Sequence, residues 1–278
     1  MNTKMPRWAW FLVLPATTVL VLAFVLPLSL VFVSSFYAEG RFTLAAYADF
    51  ASSSASQRAY LRTVRIASIV TLGTIILGYP AAYAISRVTM RWRVLLIALI
   101  ILPLMTNPVA RTFSWLVILG RTGLINNLLT AIGLDSVRLL YTEGAMIVGL
   151  LHLFMPLMML PLISAFENIP SDVVPAAQSL GASQPQIFVR VLMPLTVEGL
   201  TIGATLVFTG CVTAYVTPAI LGGSRRLILS TLLHQRASTM LDWSGATVVA
   251  VVMFLTTMLA MVIIQRLLGF LRSPRVLG

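Results

Sequence analysis

Six long apolar stretches set the terms on which this chain can fold. They run over residues 10–36, 66–86, 94–118, 144–166, 199–221 and 243–265, and only the third contains a charged residue, Arg111. Each is long enough to cross ~30 Å of hydrocarbon, which takes about 20 helical residues. Lipid offers no partner to a backbone amide, so each stretch must satisfy its amides internally, as a helix. Composition agrees: 59% of the 278 residues are hydrophobic, 10% are charged and the mean hydropathy is +0.97, against roughly 25% charged residues in a soluble domain. The expectation is an all-α integral membrane protein of six transmembrane helices, organised as one domain over residues 1–278.

Lys4 and Arg7 precede the first apolar run as they would in a secretory signal, but the run reaches about Phe36. That is well beyond the 7–15 residues of a signal core, so it reads as a retained first helix. The single cysteine, Cys211, lies inside the fifth stretch; no intrachain disulfide or cysteine metal site is available, and it reads as a small packing residue. The net charge of +11 sits on arginines at the ends of spans, where such side chains snorkel towards anionic headgroups. Membrane-surface attraction, not nucleic acid, accounts for it. Trp8, Trp10, Trp92 and Trp243 read as interfacial belt residues, and Pro80, Pro103, Pro156 and Pro161 as kinks.

Orientation is not settled by charge. With a cytoplasmic N-terminus, that side holds nine basic residues (Lys4, Arg7, Arg87, Arg91, Arg93, Arg190, Arg266, Arg272, Arg275) and the opposite side ten. The tight Arg87-x-x-x-Arg91-x-Arg93 loop favours a cytoplasmic placement of the termini. Residues 37–63 then form a polar, serine-rich loop on the far side. Residues 119–143 form an amphipathic one there, with a GLINNLLTAIGL stretch suited to lying along the interface. Residues 222–242 join them, while 87–93 and 167–197 face the cytoplasm.

Residues 171–196, SDVVPAAQSLGASQPQIFVRVLMPLT, form a polar island between apolar spans and read as two short helices joined at a glycine. Ser171 suits an N-cap with Asp172 in the first turn, and Gly181 suits the left-handed residue that ends the helix. Ser183 and Gln186 make an S-x-x-Q capping box for the second helix. A loop folded this carefully reads as a docking element.

Several chemistries are excluded. Lys4 is the only lysine, so a G-x-x-x-x-G-K-[ST] phosphate loop is impossible and any such ATPase is another polypeptide. His152 and His234 lie in no H-E-x-x-H motif, and no G-x-S-x-G elbow exists, so intramembrane hydrolysis is unsupported. All eight acidic residues (Glu39, Asp49, Asp135, Glu143, Glu167, Asp172, Glu198, Asp242) lie in loops or at span ends, which disfavours a proton-driven carrier.

The island resembles the signature loop of the membrane subunits of binding-protein-dependent ABC importers. There E-A-A is followed after three residues by Gly and after nine more by I-x-L-P. Here the corresponding residues are Pro175-Ala176-Ala177, Gly181, and Val191, Met193 and Pro194. Pro175 replaces the opening Glu, which removes an ionic contact to the ATPase. Further segments resemble the spermidine/putrescine branch of these permeases: Gly78-Tyr79-Pro80-Ala81-Ala82-Tyr83, Arg111-Thr112-Phe113-Ser114-Trp115, Gly123-Leu124-Ile125-Asn126 and Thr217-Pro218-Ala219-Ile220-Leu221-Gly222-Gly223. The resemblance implies a type I importer permease with no catalytic residue and no metal of its own, in the bacterial inner membrane with both termini cytoplasmic. It implies a second homologous permease, two ATPase subunits that hold ATP and Mg, and an extracytoplasmic substrate-binding protein. Residues 167–197 would be the cytoplasmic coupling loop, contacting the ATPase through Ser171, Asp172, Pro175, Ala176, Ala177, Leu180, Gly181 and Pro194. Relatives of this branch carry polyamines, opines and aminophosphonates.

For the translocation path the polar groups within spans are Asn107, Arg111, Thr209, Thr213, Tyr215 and Thr217. Two readings stand for each. They line a wet cavity, or the threonines bond back to their own helix, Arg111 snorkels, and Gly199-x-x-x-Gly203 is simple helix packing. His152 reads as a packed, hydrogen-bonded histidine. No carboxylate lies at membrane depth to hold a dicationic polyamine, so selection falls to the binding protein, and an anionic or zwitterionic solute stays open.

Overall fold

The computed structural model describes residues 14, 15, 17–38 and 41–270. Lys4, Arg7, Trp8, Trp10, Glu39, Arg272 and Arg275 lie outside the described residues. In chain order the elements are α1 (Thr17–Ser34), the two-residue strands β1 (Tyr37–Ala38) and β2 (Arg41–Phe42), α2 (Ala45–Ser52), α3 (Ser54–Arg87) and α4 (Met90–Met105). There follow α5 (Pro108–Ile118), α6 (Leu124–Ala131), α7 (Glu143–Glu167), α8 (Val173–Ser179), α9 (Gln184–Leu195), α10 (Val197–Thr213), α11 (Val216–Gly222), α12 (Leu229–His234) and α13 (Trp243–Gly269).

Four of these, α1, α3, α7 and α13, are long and apolar enough to cross a bilayer. Two bent pairs, α4 with α5 and α9 with α10, bring the number to six if each is one span. The third apolar stretch, expected to kink at Pro103, instead bends by 96° between Met105 and Pro108. The cause is local. A proline excludes the helical region for the residue before it, and Asn107 accordingly has φ −58° and ψ 126°, with its Oδ1 accepting from Val109 N at 2.8 Å as the cap of α5. The sharp bend thus belongs to Pro108 rather than to Pro103. The fifth stretch is also interrupted, at Ala214, because Pro218 has no amide to offer that carbonyl. Ser230 Oγ donates to Ala214 O instead, at 2.6 Å.

The polar segment 37–63 is not a loop throughout. It holds the hairpin, in which Tyr37 pairs with Phe42, then α2, and α3 begins at Ser54. The amphipathic stretch after Gly123 does form a helix, α6, with Leu124, Leu128 and Ile132 exposed on one side. Its Asn126 is buried: it donates to Gly120 O and Val137 O and accepts from Val137 N, which folds the following loop back on the helix.

By contact the chain divides into two compact units. One runs to Gln57 and includes Leu232–Phe254; the other comprises Arg58–Thr231 and the chain from Leu255. In the first, Ser35 Oγ and Tyr47 OH share a hydrogen bond of 2.7 Å, and Phe32 meets Phe254 edge to face. Arg236 reaches both Ser56 Oγ and Asp242 there.

The second unit is built on α7 and α10. A Cβ on Gly199 would lie 2.5 Å from Pro161 O, and one on Gly203 2.8 Å from Met158 Sδ. The Gly199-x-x-x-Gly203 pair is thus the contact face of α10, where small residues let backbones approach. Gly149 leaves similar room for Thr217 and Leu221. Met146, Leu150, Met158, Leu162, Leu200 and Cys211 are sealed around this seam, so Cys211 is the packing residue expected. Each end of α7 is closed by ion pairs. Glu143, at its start, receives Arg62 Nε at 2.9 Å together with Arg65, and Arg226 stands 3.7 Å away. Glu167, at its end, receives Arg93 Nη1 at 3.0 Å. At ~1.5 Å rise per residue the 25 residues of α7 hold these ends about 37 Å apart.

Candidate functional site

The polar island folds as an elbow at the Glu167 end of α7. Its first helix, α8, does not begin on Ser171. Asp172 is the N-cap, in helical geometry (φ −81°, ψ −17°) and without a side-chain bond, and Val173 N bonds Pro170 O instead. A side-chain cap requires an extended N-cap residue, and the turn through Pro170 does not allow one. The other end matches the sequence reading. Gly181 has φ +82°, its N–H bonds Gln178 O at 2.9 Å and Ala182 N bonds Ala177 O at 3.1 Å. These are the paired bonds of a Schellman motif. The capping box also forms, with Gln186 Oε1 accepting from Ser183 N at 2.8 Å.

Burial divides the elbow into an outward and an inward side. Ser171, Asp172, Pro175, Ala176 and Gly181 are exposed, and Leu180 is 89% exposed on a segment that no apolar span includes. Val173, Val174, Ala177 and Pro194 are half-buried. On the inward side α9 is keyed into the helices behind it. The Phe188 ring lies 5.1 Å from Tyr79 and 6.2 Å from Tyr83, both of which also pack on Phe166. Tyr79 OH and the fully buried Thr196 Oγ1 share a hydrogen bond of 2.7 Å. Thr196 is the residue at which α9 and α10 meet at 71°.

Sequence reasoning did not single out this aromatic cluster. Tyr79 and Tyr83 stand four residues apart on α3, a spacing that puts both on one face, but nothing in the sequence pairs them with Phe166 or Phe188. Alongside, Arg93 Nη2 donates to Ser86 O at 2.8 Å, and Arg87 lies over the Tyr83 ring.

The membrane-depth polar residues do not form one group. Arg111 donates to Pro103 O across the bend and lines a cavity of about 430 Å³ with Thr106, Ser114, Trp115 and His152. Trp115 Nε1 donates to His152 Nδ1 at 3.2 Å, the packed and hydrogen-bonded state expected of this histidine. Asn107 is spent on capping α5. Thr213 bonds back to Thr209 O at 3.0 Å. Thr217 is buried, 3.2 Å from Thr112 Oγ1. Tyr215 is partly exposed at the break between α10 and α11. Trp115 and His152 are thus placed with Arg111, while the fifth-stretch hydroxyls lie elsewhere. Among the described residues no cluster of His, Cys, Asp and Glu is suited to a metal.

Residues 74–272 match the family described as binding-protein-dependent transport system inner membrane component. The chain is 33% identical over 203 residues to the spermidine/putrescine transport system permease protein PotB of Haemophilus influenzae, covering 72% of this chain and 70% of that one. Among solved structures it is similar to a chain of a bacterial ABC transporter involved in the import of the acidic polysaccharide alginate, with a TM-score of 0.81, 15% identity and 96% of each chain covered. A bacterial alginate ABC transporter in complex with an alginate pentasaccharide-bound periplasmic protein gives a TM-score of 0.80 at 16% identity, again over 96% of both chains.

Proposed function

This chain belongs to the family of inner membrane components of binding-protein-dependent transport systems, and from that premise we propose that it forms half of the translocation path of an ATP-driven importer. The elbow carries the proposal. Leu180, Pro175 and Ala176 present a low apolar surface outside the spans, while Phe188 and Thr196 tie the same element to Tyr79 on α3 and to the start of α10. Ser171, Asp172, Pro175, Ala176, Ala177, Leu180 and Gly181 then face a groove on an ATPase subunit, with Pro194 at the inner end of the lever. Closure of two ATPase subunits on ATP and Mg pushes the elbow, and the bend at Thr196 passes the push to α7 and α10. This shifts the path between inward- and outward-open states. A second homologous permease supplies the other half of the path, and an extracytoplasmic binding protein delivers the solute. Both termini then face the cytoplasm, and residues 1–278 act as one permease domain. Within the path, Asn107, Arg111, Thr209, Thr213, Tyr215 and Thr217 are the proposed polar contacts.

The relative named for spermidine and putrescine supports a small organic solute of the polyamine class. A second reading, an opine, aminophosphonate or other zwitterionic or anionic solute, is favoured by a specific observation: Arg111 is the charged group lining the membrane-depth cavity, and no carboxylate among the described residues lines it. Gly181→Val tests the lever, because a β-branched residue in the left-handed region costs about 1–2 kcal/mol. In reconstituted vesicles the assembled variant is expected to lose uptake while ATP hydrolysis persists. Normal uptake by that variant would sink the coupling role.

A further inference from the structure

The Glu143 end of α7, remote from the elbow, holds a cavity of about 690 Å³ lined by Arg62, Arg138, Arg225 and Arg226 together with Tyr141, Thr142 and Gly223. No carboxylate lines it among the described residues. Glu143, alongside, is already engaged by Arg62, Arg65 and Arg226. Arg62 is fixed further by donating to Leu227 O at 2.7 Å, and Arg226 by donating to Tyr141 O at 2.9 Å. Arg138 and Arg225 are exposed residues, and neither side chain bonds a described residue. Four arginines therefore line one concavity beside Glu143, whose carboxylate is already engaged, and two of them carry uncommitted donors.

The wall is also held in an unfavourable backbone state. Tyr141 has φ 57°, a conformation rare for a residue with a bulky side chain, and Gly223 has φ +68°, where a Cβ would lie 3.0 Å from the Tyr141 ring. Such strain persists where a site requires a particular shape. The volume falls within the ~300–1,000 Å³ range of small-molecule pockets. Guanidinium forks bind carboxylate and phosphate-type groups bidentately, with stronger hydrogen bonds than neutral donors make.

We infer that this basin binds the oxyanion of a small solute, a carboxylate or phosphonate, and so selects an anionic or zwitterionic cargo over a polyamine. The inference rests on the importer reading only for the side of the membrane that the basin faces, which is the outer one. Arg138 and Arg225 supply the free forks, and Arg62 and Arg226, locked by Glu143 and backbone carbonyls, supply a fixed positive field. A dication entering the same space meets like charge.

The test is equilibrium binding by titration calorimetry to the full-length chain in phosphate-free maltoside micelles, with 2-aminoethylphosphonate, putrescine and phosphatidylglycerol as probes. The phosphonate is expected to bind saturably and putrescine not to bind. Arg138→Gln combined with Arg225→Gln is expected to weaken the phosphonate by at least tenfold, and the corresponding Arg→Lys pair by less, with an unchanged gel-filtration profile showing that the fold is kept. Putrescine binding as tightly as the phosphonate, or a double variant that binds like the parent, would overturn the inference. Displacement by phosphatidylglycerol at equal concentration would also overturn it, by assigning the basin to a lipid headgroup. Binding is read without ATPase subunits, so failure of the lever in the Gly181 variant leaves this result standing, and the reverse also holds.

Discussion

Gly199 shows how much a single residue carries here. Its missing side chain lets α10 come against Pro161 O and Ala165, and both obstacles to a Cβ are close, one of them backbone. Overpacking of this kind costs about 1–3 kcal/mol. Gly199→Val is therefore expected to lower the unfolding midpoint in detergent, whereas the same change at Gly269, where nothing lies within 4 Å of a Cβ and the φ is not positive, is expected to leave it nearly unchanged. Glu143 is a second such residue. Three arginines converge on it, and Glu143→Gln leaves them facing one another around a neutral amide. Removing one partner of a charged hydrogen bond costs about 1–3 kcal/mol, so the expected result is a loss of thermal stability that added salt partly restores by screening the remaining like charges. The glycine spacing and the acid are both visible in the sequence. Their partners are 38 and 81 positions away, in Pro161 and Arg62, and no local pattern marks them.

At the scale of the element, the elbow separates a surface from its anchor. Leu180 makes little contact with its own chain, so Leu180→Asp is expected to leave the unfolding of the isolated permease unchanged while reducing co-purification of ATPase subunits by about tenfold or more. A variant that unfolds early, or one that retains its partners in full, would count against the assignment. Thr196 behaves in the opposite way. It is fully buried and bonded to Tyr79, so Thr196→Val leaves the tyrosine hydroxyl without its partner, at about 1–3 kcal/mol. Its expected signature is weaker transport per ATP hydrolysed, measured in vesicles, with ATPase binding intact. The Schellman glycine and the Ser183–Gln186 box were legible because both are rules about residues within one turn. Ser171 has the residue type of a cap, but the turn at Pro170 sets the backbone there, and that turn depends on where α7 ends.

For the whole molecule, α7 sets two polar ends about 37 Å apart at ~1.5 Å per residue, one bearing Arg93 and Glu167 and the other Arg62, Glu143 and Arg226. The lone cysteine is buried, which makes sidedness measurable: in a Cys211→Ser background, Leu180→Cys is expected to react with an impermeant maleimide only in inverted vesicles, and Arg225→Cys only from outside intact cells. Labelling of both from one face would break the proposed orientation. Apolar length alone dictated a helical membrane protein, because lipid leaves a backbone amide no alternative, and spacing within single turns dictated the elbow. Which aromatic rings pack behind the elbow, and that four arginines share one basin, were decided only by tertiary structure. Each depends on residues tens of positions apart meeting in space, and composition and periodicity carry no record of such distances.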